Sequence, residues 1–285
     1  MTEIQVFNPS LVPAASGRLL VGDSLSILST LEPAQFRSCI TSPPYWGLRD
    51  YGVEAQLGAE ATLDEYIFRL VLIFREVRRV LTEDGTLWLN LGDSYTSGGR
   101  TRRAADKKNP ARAMSYRAAT PAGLKPKDLI GVPWKVAFAL QADGWYLRAD
   151  VIWHKPNAQP ESVRDRPSHA HEYVFLFSKN EHYYYDREAM KEPAANGARR
   201  SRRTVWSINT EPFRGAHFAT FPPALVEPCV DGSTTVGDDV IDPFFGSGTV
   251  GLVSLRKGRN FCGIEINPEY ADIARERLNL GGRRG

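Results

Sequence analysis

With 285 residues, 42% apolar and 24% charged side chains and a net charge of +3, the chain can bury a sizeable core. That core fits one large α/β domain or one domain with a smaller insert. No apolar run is long enough to span a bilayer, and the N-terminus lacks a charged segment followed by an apolar one. Cys39, Cys229 and Cys262 are scattered, which excludes a disulfide framework and a zinc module. We therefore expect a cytoplasmic protein with no metal and no membrane partner; its mild basicity is compatible with nucleic acid without requiring it.

Arg18–Gly22 reads as a strand ending in Gly22-Asp23, Ser24–Leu31 as a helix, and Phe36–Ile40 as a buried strand that delivers Thr41-Ser42. Thr62 and Glu65 form a capping box. Tyr66, Leu70, Ile73, Phe74, Val77 and Leu81 then keep helical spacing as far as Asp84-Gly85. Thr86–Leu91 is a strand. From Ser94 to Lys127 periodicity disappears in a basic stretch that holds Arg100, Arg102, Arg103, Lys107 and Lys108. A helix over 128–141 and a strand over Trp145–Trp153 follow. A hairpin is expected from Glu172–Phe177 and His182–Tyr185, turning at Ser178-Lys179-Asn180. Ala194–Arg203 is a second irregular basic stretch. The last third reads as a strand (Val240–Asp242), a tight turn (Phe244–Gly248), a helix (Thr249–Arg256), a strand ending at Glu265, and a helix Pro268–Leu278 capped by Asn267.

Two stretches carry chemistry. Asp242-Pro243-Phe244-Phe245-Gly246-Ser247-Gly248-Thr249 places a Gly-x-Gly turn between a strand and a helix, and Glu265 stands at about the distance where an acid can accept ribose hydroxyls. Gly251 completes a G-x-G-x-x-G spacing, so a nicotinamide enzyme must be weighed. An acid at Asp242 repels phosphates, however, and suits the ammonium of S-adenosylmethionine. Thr41-Ser42-Pro43-Pro44-Tyr45-Trp46 is the other stretch. Its prolines fix the backbone so that the Ser42 side chain and the Pro43 carbonyl present acceptors in one direction, and Tyr45 offers a flat face to a base. Two acceptors aimed at a delocalised exocyclic amine favour a pyramidal nitrogen with an available lone pair.

These stretches resemble those of the amino-group DNA methyltransferases of bacterial restriction–modification systems, in the permuted order called the β class. Ser42–Tyr45 is similar to the catalytic (D/N/S)-P-P-(Y/F) motif of that family, and Asp242–Thr249 to its cofactor motif. Glu265 matches its ribose-binding acid and Asp23 its adenine-side acid. His217-Phe218-Ala219-Thr220-Phe221-Pro222 resembles the segment along the methionine end of the cofactor.

The resemblance implies a Rossmann-like, circularly permuted α/β sheet with an inserted target-recognition region, S-adenosyl-L-methionine as cofactor and double-stranded DNA as substrate. Residues 1–153 would form the catalytic half, 154–214 the recognition region and 215–285 the cofactor half. Catalysis would fall to Ser42, Pro43, Pro44 and Tyr45. The cofactor would meet Asp23, Thr41, His217, Phe221, Asp242, Phe244, Gly246, Ser247, Gly248, Thr249, Glu265 and Asn267. DNA would meet Trp46, the 94–127 loop through Arg100, Arg102, Arg103, Lys107 and Lys108, and Lys155, Arg164, Arg166, Arg202 and Arg203. In the family the Ser-Pro-Pro-Tyr form is commonest on cytosine N4, with adenine N6 as the alternative. A DNA-binding protein without activity is the reading from another class. A homodimer and a separate cognate endonuclease are further expectations of the resemblance.

Overall fold

The computed structural model describes residues 2–7, 15–48, 53, 56–97, 118–194, 197–211 and 221–281. The expected basic side chains Arg100, Arg102, Arg103, Lys107 and Lys108, and His217, lie outside them.

The chain opens with β1 (Thr2–Phe7), β2 (Gly17–Val21), α1 (Ser24–Leu28), β3 (Phe36–Thr41), α2 (Leu63–Val80) and β4 (Leu81–Leu91). Next come α3 (Val132–Ala142), β5 (Tyr146–His154), β6 (His171–Ser178), β7 (Lys191–Pro193), β8 (Arg199–Ser201) and β9 (Val205–Ser207). The final elements are α4 (Pro223–Ser233), β10 (Asp239–Asp242), α5 (Thr249–Arg256), β11 (Asn260–Glu265) and α6 (Pro268–Gly281). Among the described residues, nine strands form one sheet in the order β1-β2-β11-β10-β3-β4-β6-β5-β9, while β7 and β8 pair separately. The five strands from β2 to β4 are mutually parallel, and β6 runs antiparallel to both neighbours. The C-terminal strands β11 and β10 lie between the N-terminal strands β2 and β3 at the centre of this Rossmann-like sheet, so the permuted order expected from the sequence is the observed one.

Alternation along the central strands sends side chains to both faces. Cys39, Leu87, Leu89, Phe175 and Phe177 pack with α1, α2 and α3. Ile40, Trp88, Val174, Leu176 and Val240 pack with α4 and α5, and Leu19 and Phe261 with α5 and α6. The longest helix, α2, starts at the expected capping box: Glu65 N donates to Thr62 Oγ1 at 3.2 Å and Thr62 N to Glu65 Oε2 at 3.1 Å. Its stripe Tyr66, Leu70, Ile73, Phe74 and Val77 is fully buried or nearly so. Among the described residues, no helix is long and apolar enough to cross a membrane.

Several expectations change. The helix read as far as Asp84-Gly85 ends at Val80, where β4 takes over from Leu81, and the stretch Ala194–Arg203, read as irregular, contains β8, which pairs with β7. Glu172–Phe177 does not pair with His182–Tyr185, because both edges of β6 are taken, one by β4 and the other by β5. Residues 182–185 form no strand; Tyr183 and Tyr184 lie under the guanidinium groups of Arg148 and Arg37. The helix expected from residue 128 starts at Val132, since Thr96 N bonds Asp128 O at 3.0 Å and Ile130 N bonds Ser94 O at 2.9 Å. Finally, α4 has no counterpart in the sequence reading; its Pro228 and Gly232 obscure a helical pattern that packing against β3 and β4 restores.

The 154–214 stretch contributes β6 and β9 to the main sheet. What stands apart from that sheet is the connection 155–170 and the β7–β8 hairpin.

Candidate active site

The C-terminal ends of β3, β10 and β11 lie side by side, because Ile241 pairs with Cys39 and Asp242 with Gly263. Ligands bind at this edge of doubly wound sheets. Thr41 Oγ1 donates to Asp242 Oδ1 at 2.6 Å across 201 residues of sequence, and Phe244 N donates to the same oxygen at 3.0 Å. The two motifs from opposite chain ends therefore meet.

On the β10 side, Gly246 (φ +50°) and Gly248 (φ +78°) take left-handed backbone that favours glycine. Glu265 accepts from Gly246 N at 2.7 Å and from Asn267 N at 2.9 Å, which fixes the turn to the end of β11. Asn267 caps α6 through Glu269 N. Asp23 caps α1, with Oδ1 accepting from Ser26 N at 2.9 Å, and Ser24 Oγ donates to Pro243 O at 2.6 Å. Phe244 meets Phe74 edge-on, and half-buried Phe221 packs against the α4 core. The Ser247 and Thr249 hydroxyls already have a partner that sequence reasoning missed: Arg277 Nη1 donates to both, at 2.9 and 2.8 Å.

Gly251 has a packing reason. A Cβ there would sit 2.7 Å from the Phe245 ring, and one at Gly263 2.4 Å from it. Both glycines make room for Phe245, which stacks on Phe261 at 5.3 Å. The third glycine of the G-x-G-x-x-G spacing therefore serves a buried aromatic ring.

On the β3 side, Tyr66 Oη donates to Pro44 O at 2.9 Å and pins the Pro43-Pro44 turn. Ser42 Oγ donates to Tyr45 Oη at 3.4 Å, and Tyr45 Oη donates to Glu172 Oε2 at 2.8 Å. Asn90 Nδ2 donates to the same Glu172 oxygen at 3.1 Å, and Lys155 Nζ holds Oε1. Glu172 and Lys155 are both largely buried, and the Lys155 ammonium also lies 4.2 Å from the centre of the Trp153 ring. Burial and then the Glu172 charge push the Tyr45 phenol well above its usual range, so it stays protonated. A Cβ at Gly92 would lie 2.7 Å from the Tyr45 ring, so the glycine is needed for the ring's position. Glu172 and Asn90 escaped the sequence reading. The signal was an acid opening an otherwise apolar strand, HEYVFLFS.

The residues expected to meet DNA sit in different surroundings. Trp46 is 4% exposed and donates its indole N–H to Glu60 O at 3.1 Å, so it belongs to the core, not to a DNA-facing surface. Lys155 is committed to Glu172 inside the site. Arg166 is bound to Glu161 and stacked on Tyr95, and Arg202 lies over Trp206. Arg164 and Arg203 are exposed.

Residues 36–276 match the family model of the N6/N4 DNA methylases. The chain belongs to this family. It is similar to the Type II methyltransferase M.Cfr9I of Citrobacter freundii (61% identity, over 91% of this chain and 87% of the relative). It is also similar to M.XycI of Xanthomonas campestris pv. cyanopsidis (58% identity, over 96% and 91%). Among solved structures it resembles a putative DNA modification methylase of Thermus thermophilus complexed with S-adenosyl-L-methionine (TM-score 0.65, 25% identity, over 93% and 95%). The fold is also that of the PvuII cytosine-N4-specific DNA methyltransferase (TM-score 0.69, 22% identity, over 97% and 96%). This chain is thus a Type II DNA methyltransferase of the N4/N6 family, with S-adenosylmethionine as its cofactor and DNA as its substrate.

The residues at the sheet edge fit that cofactor. Burial raises Asp242 to about 7 and raises Glu265 as well, and no cation is among the groups that act on either. A ligand bringing a positive ammonium and ribose hydroxyls to these two acids relieves that burial cost.

Proposed function

We propose that this methyltransferase modifies the exocyclic N4 of a cytosine flipped out of double-stranded DNA. The observation that carries this reading is the direct bond from Thr41 to Asp242, which sets Ser42 and Tyr45 beside the cofactor turn. When bound, S-adenosylmethionine supplies an electrophilic methyl group on its sulfonium. Asp242 receives its ammonium, Glu265 its ribose hydroxyls and Asp23 its adenine side, and Gly246 and Gly248 let the backbone approach. Ser42 and the Pro43 carbonyl accept from the amino hydrogens, and Tyr45 stacks on the base.

The Ser-Pro-Pro-Tyr form of the turn, commonest on cytosine N4 in the family, supports cytosine over adenine. The connection 155–170 and the β7–β8 hairpin hold the recognition surface, with Arg164 and Arg203 as phosphate contacts. The Type II relatives support a cognate endonuclease as a separate protein. DNA methylated by the purified protein, digested to nucleosides, is expected to yield N4-methylcytosine, and N6-methyladenine in its place reverses the assignment. Ser42→Ala and Tyr45→Ala should each lower methyl transfer by a factor of about 100 or more.

A further inference from the structure

We infer that Glu172 is the terminal acceptor of the proton that the target amine loses, reached through the Ser42 and Tyr45 hydroxyls. The inference rests on the methyl-transfer roles proposed above for Ser42 and Tyr45. As the amino nitrogen takes the methyl group with its lone pair, the old bonding pair stays on sulfur, and the nitrogen is left with one proton too many. Ser42, its expected partner, is a neutral hydroxyl and a weak base.

The acids near the sheet edge differ in their connections. Asp242 is bonded to Thr41 and Phe244 N, and Glu265 to the Gly246 and Asn267 amides. Asp93 caps α3 through Gly131 and Val132 N, and Asp23 caps α1. Of these five carboxylates, only Glu172 connects to Ser42, by 3.4 Å from Ser42 Oγ to Tyr45 Oη and 2.8 Å from Tyr45 Oη to Oε2. Each donor points in the direction a relay requires. Ser42 takes the amine proton and passes its own to Tyr45, and Tyr45 passes its own to Glu172, so the amine, Ser42 and Tyr45 all end neutral and the carboxylate becomes the neutral acid. Lys155, just beyond β5, and Asn90, on β4, hold that carboxylate in place. Before the proton arrives, the same chain polarises the Ser42 oxygen toward the amine. Glu172 acts through Tyr45 and Ser42, without touching the base.

The test is single-turnover methyl transfer by wild type, Glu172→Gln, Tyr45→Phe and the double variant, with cofactor affinity measured in parallel. The relay predicts a loss of about 100-fold for each single variant, unchanged cofactor affinity, and no further loss in the double variant. Glutamine can still accept the Tyr45 hydrogen bond, so a role confined to holding the ring leaves Glu172→Gln within about threefold of wild type; that result overturns the inference. If Glu172→Gln does not fold, Tyr45→Phe decides by the same two thresholds. A second readout needs neither cofactor nor DNA: in protein labelled with 13C at the tyrosine ring carbon bearing oxygen, the Tyr45 resonance moves in Glu172→Gln. An unmoved resonance removes the relay's central link. Failure of the proposed function shows differently, as wild-type enzyme that yields no N4-methylcytosine.

Discussion

The two halves of the site are built by opposite strategies. At the proposed cofactor end, one continuous run from β10 through the Gly246–Gly248 turn to the end of β11 supplies the two acids and the two positive-φ glycines of the turn. At the base end, the turn after β3 supplies Ser42 and Tyr45, but Asn90, Lys155 and Glu172 arrive from three other segments of the chain, up to 127 residues from Tyr45. A contiguous site is specified by local backbone chemistry, whereas a dispersed one depends on strand order and register. The first should tolerate change far from it; the second should be sensitive to any shift of β6.

The contrast can be broken most forcefully at Asp242. Asp242→Asn should weaken cofactor binding about 100-fold by calorimetry, as losing one member of a buried charge pair costs several kcal/mol. For the wild type, affinity should rise with pH up to about 7 and then level off, because the ionised carboxylate meets the ammonium. Stability of the free protein should move the other way. Burial raises the folded-state pKa of Asp242 above its unfolded value, so its contribution is full below about pH 4 and is lost as pH climbs through about 7. Thermal melting of Asp242→Asn should show a flatter decline over that window, and an unchanged slope removes Asp242 as its source.

Gly263→Ala probes the packing beneath the cofactor turn. The added methyl meets the Phe245 ring, and unfolding in denaturant should show about 1–3 kcal/mol lost. Thr62→Ala removes half of the α2 capping box, away from both halves of the site. It should cost about 1 kcal/mol of stability and leave cofactor affinity unchanged. The smallest effect is expected at the exposed Arg164: Arg164→Ala should weaken DNA binding similarly on all sequences and reduce the salt dependence by about one counterion. A sequence-selective loss there would make Arg164 a reader of bases.

Much of the cofactor half was legible because its determinants are short-range. The strand, glycine turn, capped helix and Glu265 lie within one run, and local sterics fix the turn. The Pro43-Pro44 turn was legible for the same reason. The capping box of α2 was read to the residue. By contrast, α3 began late because 128–130 bond to 94–96, and α4 was missed because its Pro and Gly weaken the helical pattern. The hairpin after β6 failed because the partners of β6 are β4 and β5, which local alternation cannot reveal. Trp46 was expected to meet DNA, but it shares the core with Leu57, Leu63 and α2, which sequence spacing does not reveal.

Sequence alone determined the chemistry on offer: a rigid acceptor turn carrying Ser42 and Tyr45, an acid-flanked glycine turn, and the permuted order that makes them neighbours. Those are consequences of backbone restriction and residue type, which act over a few positions. Tertiary structure alone decided which acid answers to Tyr45, why Gly251 must be small and where Lys155 spends its charge. The first and last depend on side chains brought within about 3 Å by strand pairing, and Gly251 on a helix folding back over the Phe245 ring; spacing along the chain carries no record of either contact.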